Sequence, residues 1–390
     1  MKFTISLNEM QKLLQKVLPA IPPKSTLPVL EHLNFSLNDN KLRIIATDQD
    51  ITIMTTSEVG SGEDGGVLVP GRKLNDIVKA LGSEGEFEFT SDPVSNVIKI
   101  IHSKGQFTLK GLSPDQYLDL PLLFGGEAPD PTDTSEGKES IFFKKEEISR
   151  LAGKTSFAVS TDEYRPAMTG VLFQFRGDHV NAVSTDSYRL VRAIHRPDGE
   201  NLPGEFDIII PSRSVELLEK VEDDLNMSVI ESNGKPTHVR FDIGNMVFIS
   251  RIIDERFPPY ESVIPQNNKI MAEFDQKEAL SAIKRVSLVT SIVSKQIKLK
   301  FSEGMLNFSG EDEESGNRGN EEIKCEFSGE EFEIGFNYRF LEEALQHAQG
   351  DGEDAGTVKM ALSEPAKPAL IMPKSDGEDL LMLIMPVRIG

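Results

Sequence analysis

The chain runs through one order of elements three times, and this period limits the possible folds more than any other feature. A short apolar run leads into an amphipathic segment at residues 3–5 into 10–18, at 141–143 into 148–155 and at 272–274 into 279–288. Paired alternating runs follow: LNFSLNDNKLRIIA at 33–46, VLFQFRGDHVNAVS at 171–184 and IKLKFSEGMLNFSG at 297–310. A further apolar run then enters a second amphipathic segment. Each time an arginine stands at or just before the expected helix start: Arg72 in VLVPGRKLNDIVKAL, Arg213 in DIIIPSRSVELLEKV and Arg339 in EIGFNYRFLEEALQHA. Solenoid units are ~20–50 residues long. A third of a 390-residue chain is much longer, so the period predicts three copies of a whole domain.

Helical spacing is clear within each copy. Met10, Leu13, Leu14, Val17 and Leu18 fall on one face, as do Leu74, Ile77, Val78 and Leu81, and Leu341, Ala344, Leu345 and Ala348. Asn8 and Asp275 are the expected N-caps, and Gly82 the expected stop. Period-two alternation in KLRII, VRFDI and IKLKF predicts strands with one buried face. Two helices and about eight strands per copy predict an α+β domain, helices packed on antiparallel sheet.

The segment GGEAPDPTDTSEGK at 125–138 is acidic, rich in Gly and Pro, and nearly free of apolar residues, so it reads as a linker. A second boundary falls in PPYESVIPQNNK at 258–269, where the prolines favour extended backbone. The expected domains are therefore 1–124, 139–262 and 263–390. The acidic stretches 311–322 and 350–356 read as exposed hairpin loops.

Hydrophobic residues make up 38% and charged residues 27%, as in ordinary soluble domains. No apolar run approaches the ~18 residues of a membrane span, and the start MKFT lacks the apolar stretch of a signal peptide. Cys325 is the only cysteine, which fits a cytoplasmic protein without intrachain disulfides.

The net charge of −21 counts against nucleic-acid binding at first sight, because phosphate contacts need cations. It deepens along the chain, from −3 over 1–124 to −6 over 139–262 and −9 over 263–390. Yet the polar faces of the expected helices repeatedly carry cations. These are Lys12 and Lys16; Arg72, Lys73 and Lys79; Lys144, Lys145, Arg150 and Lys154; Arg213 and Lys220; Lys284 and Arg285; and Arg339. On one helix this is ordinary solvated surface with i,i+4 pairing. Repeated from equivalent places in three copies, it would line one common surface.

Catalytic patterns are missing. The six histidines show no metal-ligand spacing, and G-x-S-x-G, Walker A and HExxH patterns are absent. Ser232 and Lys235 match S-x-x-K but fall in an expected hairpin turn. No enzyme activity, cofactor or metal is therefore expected. Two stretches exceed plain scaffold. STDSYRLVR at 184–192 reads equally as a strand and turn around a core Leu190 or as a surface formed by Tyr188 and Leu190. The apolar ending LLMLIMPVRIG reads as a final strand, with Met385, Pro386 and Val387 available as a polarizable groove wall.

These same stretches carry a family resemblance. MKFT at the start, TLPVL at 26–30, IATDQDI at 45–51, VPGRKL at 69–74, GVLF at 170–173, VSTDSYRL at 183–190, RFPPY at 256–260, IGFNYRF at 334–340 and MPVR at 385–388 appear in the order seen in bacterial sliding clamps, the beta subunits of DNA polymerase III. The resemblance spans essentially the whole chain. It implies a non-catalytic, head-to-tail homodimer of six domains closed into a ring around duplex DNA. By similarity, Lys24, Arg72, Lys73 and Arg213 touch DNA, with Arg165 a further candidate. The family's peptide pocket maps onto Met168, Thr185, Tyr188, Arg189, Leu190, Pro258, Val263, Ile384, Met385, Pro386, Val387 and Arg388. That pocket docks motifs of the polymerase catalytic subunit, the clamp loader and repair proteins. The dimer interface maps onto Phe107 of one copy and Leu288 and Val289 of the other. Tyr188 stands where many members carry His, and Ser262 where many carry Arg.

Overall fold

The structure is a computed structural model that describes all residues except 61, 119–139, 198–201, 203, 328, 351–353, 376–378 and 390. The expected linker 125–138 therefore lies outside the described residues.

Among the described residues, each third of the chain contributes eight strands and two α-helices. The first holds β1 (Lys2–Ser6), α1 (Leu7–Val17), β2 (His32–Asn38), β3 (Lys41–Thr47), β4 (Ile51–Glu58), β5 (Gly65–Pro70), α2 (Gly71–Leu81), β6 (Glu86–Ser91), β7 (Val97–His102) and β8 (Gly105–Lys110). The second holds β9 (Ile141–Phe143), α3 (Lys145–Thr155), β10 (Gly170–Arg176), β11 (His179–Thr185), β12 (Arg189–His195), β13 (Phe206–Pro211), α4 (Ser212–Leu218), β14 (Leu225–Ser232), β15 (Lys235–Ile243) and β16 (Met246–Arg251). The third holds β17 (Ile270–Asp275), α5 (Gln276–Val286), β18 (Gln296–Ser302), β19 (Met305–Asp312), β20 (Asn317–Phe327), β21 (Phe332–Asn337), α6 (Tyr338–His347), β22 (Thr357–Leu362), β23 (Ala369–Pro373) and β24 (Leu380–Ile384).

The chain divides into two compact units. One comprises Met1–Lys145 with Val221–Ile252, the other Glu146–Lys220 with Ile253–Gly390. The second repeat thus gives one sheet to each unit.

The first unit contains a four-stranded sheet, β1-β6-β7-β8, and an eight-stranded sheet, β5-β2-β3-β4-β16-β15-β14-β9. Alternation places Phe3 and Phe89 inward, where their rings stack 4.9 Å apart, and Phe35 adds to the same stack at 5.6 Å. Helix α1 buries Leu7, Met10, Leu13, Leu14 and Val17. Full burial of each such side chain is worth ~1.5–3 kcal/mol. The amide of Gln11 ties α1 to α2 by donating to the carbonyls of Val78 and Gly82. The second unit holds a twelve-stranded sheet, β13-β10-β11-β12-β24-β23-β22-β17-β20-β19-β18-β21.

Read by repeat, one pattern recurs. The fourth strand of one half-sheet pairs with the last strand of the next repeat. This joins β4 to β16, with Phe248 opposite Ile53, and β12 to β24, with Leu190 opposite Leu383. Among the described residues, the equivalent partners left over are β8, at the edge of its sheet, and the leading residues of β20, which pair only with β19.

Three local expectations change. The N-cap of α1 is Ser6, whose hydroxyl accepts from the Glu9 amide, and Asn8 lies inside the helix. Ser6 and Glu9 have the spacing of a capping box, which outranks an isolated Asn. Asp275 does cap α5, and Gly82 ends α2 at φ +87°. The acidic stretch 311–322 is mostly ladder rather than loop, because Glu311 pairs with Arg318 and Asp312 with Asn317. Leu306, Phe308, Ile323 and Cys325 point inward, so alternation carries the acids outward on regular strands. Lastly, the second boundary is anchored. Despite its prolines, residues 260–263 form a 3₁₀ turn, and Tyr260 and Ile264 are buried with Leu172, Leu190 and Leu383.

Candidate cationic face, sheet edge and apolar pocket

Arg72, Arg213 and Arg339 are each the second residue of their helix, one in each repeat. All three are exposed. The expectation placed these arginines at or before the helix start; they lie inside the first turn, since the helices begin at Gly71, Ser212 and Tyr338. The Arg72 guanidinium donates to the Ile21 carbonyl at 3.2 Å, three residues before the exposed Lys24. Lys73 is also exposed.

Other expected cations are committed elsewhere. Lys16 donates to Asn245 Oδ1 at 2.6 Å, and Arg150 to the Ile194 carbonyl at 3.1 Å. Lys154 donates to the carbonyls of His347 and Gln349, both at 2.7 Å, where the end of α6 leaves acceptors unpaired. Arg285 pairs with Glu321, which lowers the carboxyl pKa and raises that of the guanidinium. Arg165 donates to Asp162 Oδ2 and to Ser187 Oγ, both at 2.8 Å, so it sits beside the turn between β11 and β12.

The strand β8 is exposed along nearly its whole length, and Phe107 faces outward from it. The free part of β20 lies beneath the short turn Ser287–Val289. A Cβ placed on Gly319 would meet Val289 Cγ2 at 2.7 Å. Leu288 is 81% exposed. Ile292 and Val293, 82% and 91% exposed, extend this apolar surface and were not singled out in the sequence. Their signal is an Ile-Val pair flanked by serines, with no helical or strand period to bury it.

The third site is an apolar cluster in the second unit. Its core is the buried group Leu172, Leu190, Tyr260, Leu383 and neighbours, with Ala167 and Phe257 packed against it. Tyr260 donates its hydroxyl to Gln174 Oε1 at 2.6 Å, and burial pushes its pKa up to about 12. Met168, Thr185, Leu190 and Ile384 are buried, whereas Tyr188, Val263 and Met385 form an exposed apolar rim. Pro258, Pro386 and Val387 are half-buried beside the exposed Arg388.

The rim is built by hydrogen bonds. Asp186 Oδ1 accepts the amides of Tyr188 and Arg189 at 2.9 and 3.0 Å, and Ser187 adopts φ +78° at the tip. Thr185 Oγ1 donates to the Arg189 carbonyl at 2.7 Å. The Met385 amide donates to the Tyr188 carbonyl, and the Val387 amide to the Gly335 carbonyl, each at 2.8 Å. The chain end therefore runs from the rim to the edge strand β21. The strand-and-turn reading of STDSYRLVR holds, with Leu190 in the core; of the surface expected from Tyr188 and Leu190, only Tyr188 is exposed. Phe340 of α6, stacked on Tyr188 at 6.0 Å, was missed in the sequence because its helical period gave it a place but no partner.

Comparison with known proteins decides what these parts belong to. The DNA polymerase III beta subunit profiles match in order: the N-terminal domain at residues 1–121, the central domain at 143–259 and the C-terminal domain at 261–388. The chain belongs to the DNA polymerase III beta subunit family. The beta sliding clamp of Staphylococcus aureus is 29% identical over 397 residues, covering 100% of this chain and 99% of its own. The Bacillus subtilis DNA polymerase sliding clamp superposes over 100% of both chains with a TM-score of 0.87 at 27% identity. The Pseudomonas aeruginosa clamp, solved bound to griselimycin, has the same fold, with a TM-score of 0.88 at 24% identity and full coverage of both chains.

Three tandem clamp domains account for the threefold period. Sliding clamps are processivity factors of DNA replication rather than enzymes, which places DNA and polymerase among the partners of this family. Among the described residues, no helix is long and apolar enough to cross a membrane.

Proposed function

We propose that two copies of this chain close head to tail into a six-domain ring around duplex DNA, tethering the replicative polymerase. The observation that carries this reading is the recurring strand join. The β4·β16 and β12·β24 pairs use equivalent strands, and the same rule applied once more pairs β20 of one copy with β8 of another. Both unpaired edges would vanish, which also removes an aggregation hazard. Phe107 would then meet Leu288 and Val289. The proposed domains are 1–124, 139–262 and 263–390, with 125–138 as linker.

Lys24, Arg72, Lys73 and Arg213 are the proposed phosphate contacts, and Arg165, already neutralised by Asp162, adds less. Contacts to phosphates alone carry no sequence information, so the ring would hold any duplex and slide. The net charge of −21 keeps the remaining surface from adhering to DNA. The apolar pocket, with rim Tyr188, Val263 and Met385 and walls Met168, Pro258 and Pro386 to Arg388, docks short apolar peptides of the polymerase catalytic subunit, the clamp loader and repair proteins. The ring works in the cytoplasm, where bacterial replication takes place.

Native mass by light scattering is the first test. A value near twice the 43.2 kDa chain mass supports the ring. Retention on closed circular DNA, lost when the circle is cut, then separates encirclement from adhesion. A persistent monomer removes the reading, since three domains alone would leave both edges open.

A further inference from the structure

Within the pocket, Arg189 is an unusual wall residue because it is 8% exposed. Its guanidinium is engaged on every side that the fold offers. Nε donates to Asp186 Oδ2 at 3.1 Å, Nη2 to the Phe157 carbonyl at 2.8 Å and Nη1 to the Glu343 carboxylate. The Phe157 and Phe340 rings lie 5.3 and 4.8 Å from its Cζ. Little of it is left for a ligand to touch.

What Arg189 holds is the rim. Asp186, one of its partners, binds the Tyr188 amide. Phe340, another, supports the Tyr188 ring. The Tyr188 carbonyl in turn accepts from Met385. Arg189 therefore reaches the exposed rim by two routes, through the turn and through α6. A buried ion pair is a poor means of stabilising a fold compared with apolar residues of similar volume. A planar fork with fixed donor directions does, however, fix orientation in a way that a lysine or an aliphatic chain does not.

We propose that Arg189 is a positioning residue for peptide docking: it sets the Tyr188 ring and the start of the chain end by bridging the Asp186 turn to Phe340 and Glu343, without touching the peptide. The proposal rests on the pocket reading above.

The test is a double-mutant cycle on the full dimeric chain. The probe is a fluorescein-labelled hexapeptide ending in Leu-Phe, chosen for the apolar rim, and the readout is anisotropy. Arg189→Lys should weaken binding about tenfold, and in a Tyr188→Ala background the same change should cost less than about twofold. Native mass should stay that of wild type. Equal losses in both backgrounds would overturn the proposal, because Arg189 would then act independently of Tyr188; so would an unchanged affinity in Arg189→Lys. Should Arg189→Lys not fold, Phe340→Leu removes the ring between the two residues and must show the same dependence on Tyr188. If the wild-type chain and a variant lacking 385–390 bind the probe equally, the pocket reading itself falls and this proposal with it.

Discussion

Val289 lies directly over Gly319, closer than any side chain on that strand would allow: a Cβ there would fall 2.7 Å from Val289 Cγ2. Gly319 pairs with Gly310 across β19 and β20, and a Cβ on Gly310 would strike Thr290 Oγ1 at 2.1 Å. The glycine pair lets the Ser287–Val289 turn lie flat on the sheet and present Leu288 outward.

Gly319→Val should therefore lift the turn and spoil the proposed dimer surface. Overpacking of this kind costs ~1–3 kcal/mol, which corresponds to a rise of roughly 5- to 150-fold in the dimer dissociation constant. Sedimentation across a dilution series measures it, with circular dichroism as the folding control. Dissociation at the wild-type concentration would place the interface elsewhere.

Charge removal on the helix faces should act differently. Arg72→Gln, Lys24→Gln and Arg213→Gln should each shorten retention on circular DNA and reduce the salt slope by about one if each residue contacts one phosphate. The dimer should persist. Loss of the dimer in these variants would show that the three residues belong to an interface between copies.

Much of this architecture was legible because it rests on period. Leu13, Leu14 and Val17 had to share a helical face, and Ile297, Leu299 and Phe301 a strand face, and both are buried as alternation requires. The strand joins were not legible. Nothing in the local pattern of Ile51–Glu58 names Met246–Arg251 as its partner, since a strand's own alternation says which face is buried and not which neighbour it takes. The surroundings of the proposed pocket were legible only in part. Tyr188 and Met385 carried a resemblance, whereas Phe157, Phe340 and Glu343 meet only in the folded chain. Nor were the local bonds of the helix cations legible, because Lys16, Arg150 and Lys154 reach acceptors that only tertiary structure supplies.

Tyr260 offers a stability test at the second boundary. Tyr260→Phe leaves the buried Gln174 Oε1 without its donor, which should cost ~1–2 kcal/mol in urea unfolding. An unchanged midpoint and slope would show that this hydrogen bond does not anchor the segment.

Alkaline pH should weaken the chain through Cys325. Burial pushes this thiol up to about 11 from an ordinary value near 9.0. The unfolded thiol therefore loses its proton first, so the contribution is intact below about pH 9 and is lost as pH rises toward 11. Urea unfolding at pH 8 to 10.5 should show a fall of order 1 kcal/mol in wild type that Cys325→Ala lacks. Iodoacetamide should label Cys325 slowly in the native chain and quickly in urea. Equal labelling rates would contradict the burial.

The last prediction concerns the chain end. Met385 is fixed to Tyr188 and Val387 to Gly335, so the segment between them forms a wall pinned at both sides. Gly335 permits this approach: a Cβ there would lie 3.0 Å from the Val387 carbonyl oxygen and 3.1 Å from Ile389 Cγ1. Gly335→Val should push the wall away from β21 while leaving Tyr188 in place. The peptide probe should then bind about tenfold more weakly, or ~1.4 kcal/mol, and deletion of 385–390 should abolish binding. Neither change touches β8 or β20, so native mass should stay that of the dimer. The order of the two effects is diagnostic. If the deletion abolishes binding but Gly335→Val does not weaken it, the side chains of Met385 and Val387 act without their anchor on β21. If neither variant loses affinity, the chain end is no part of the pocket.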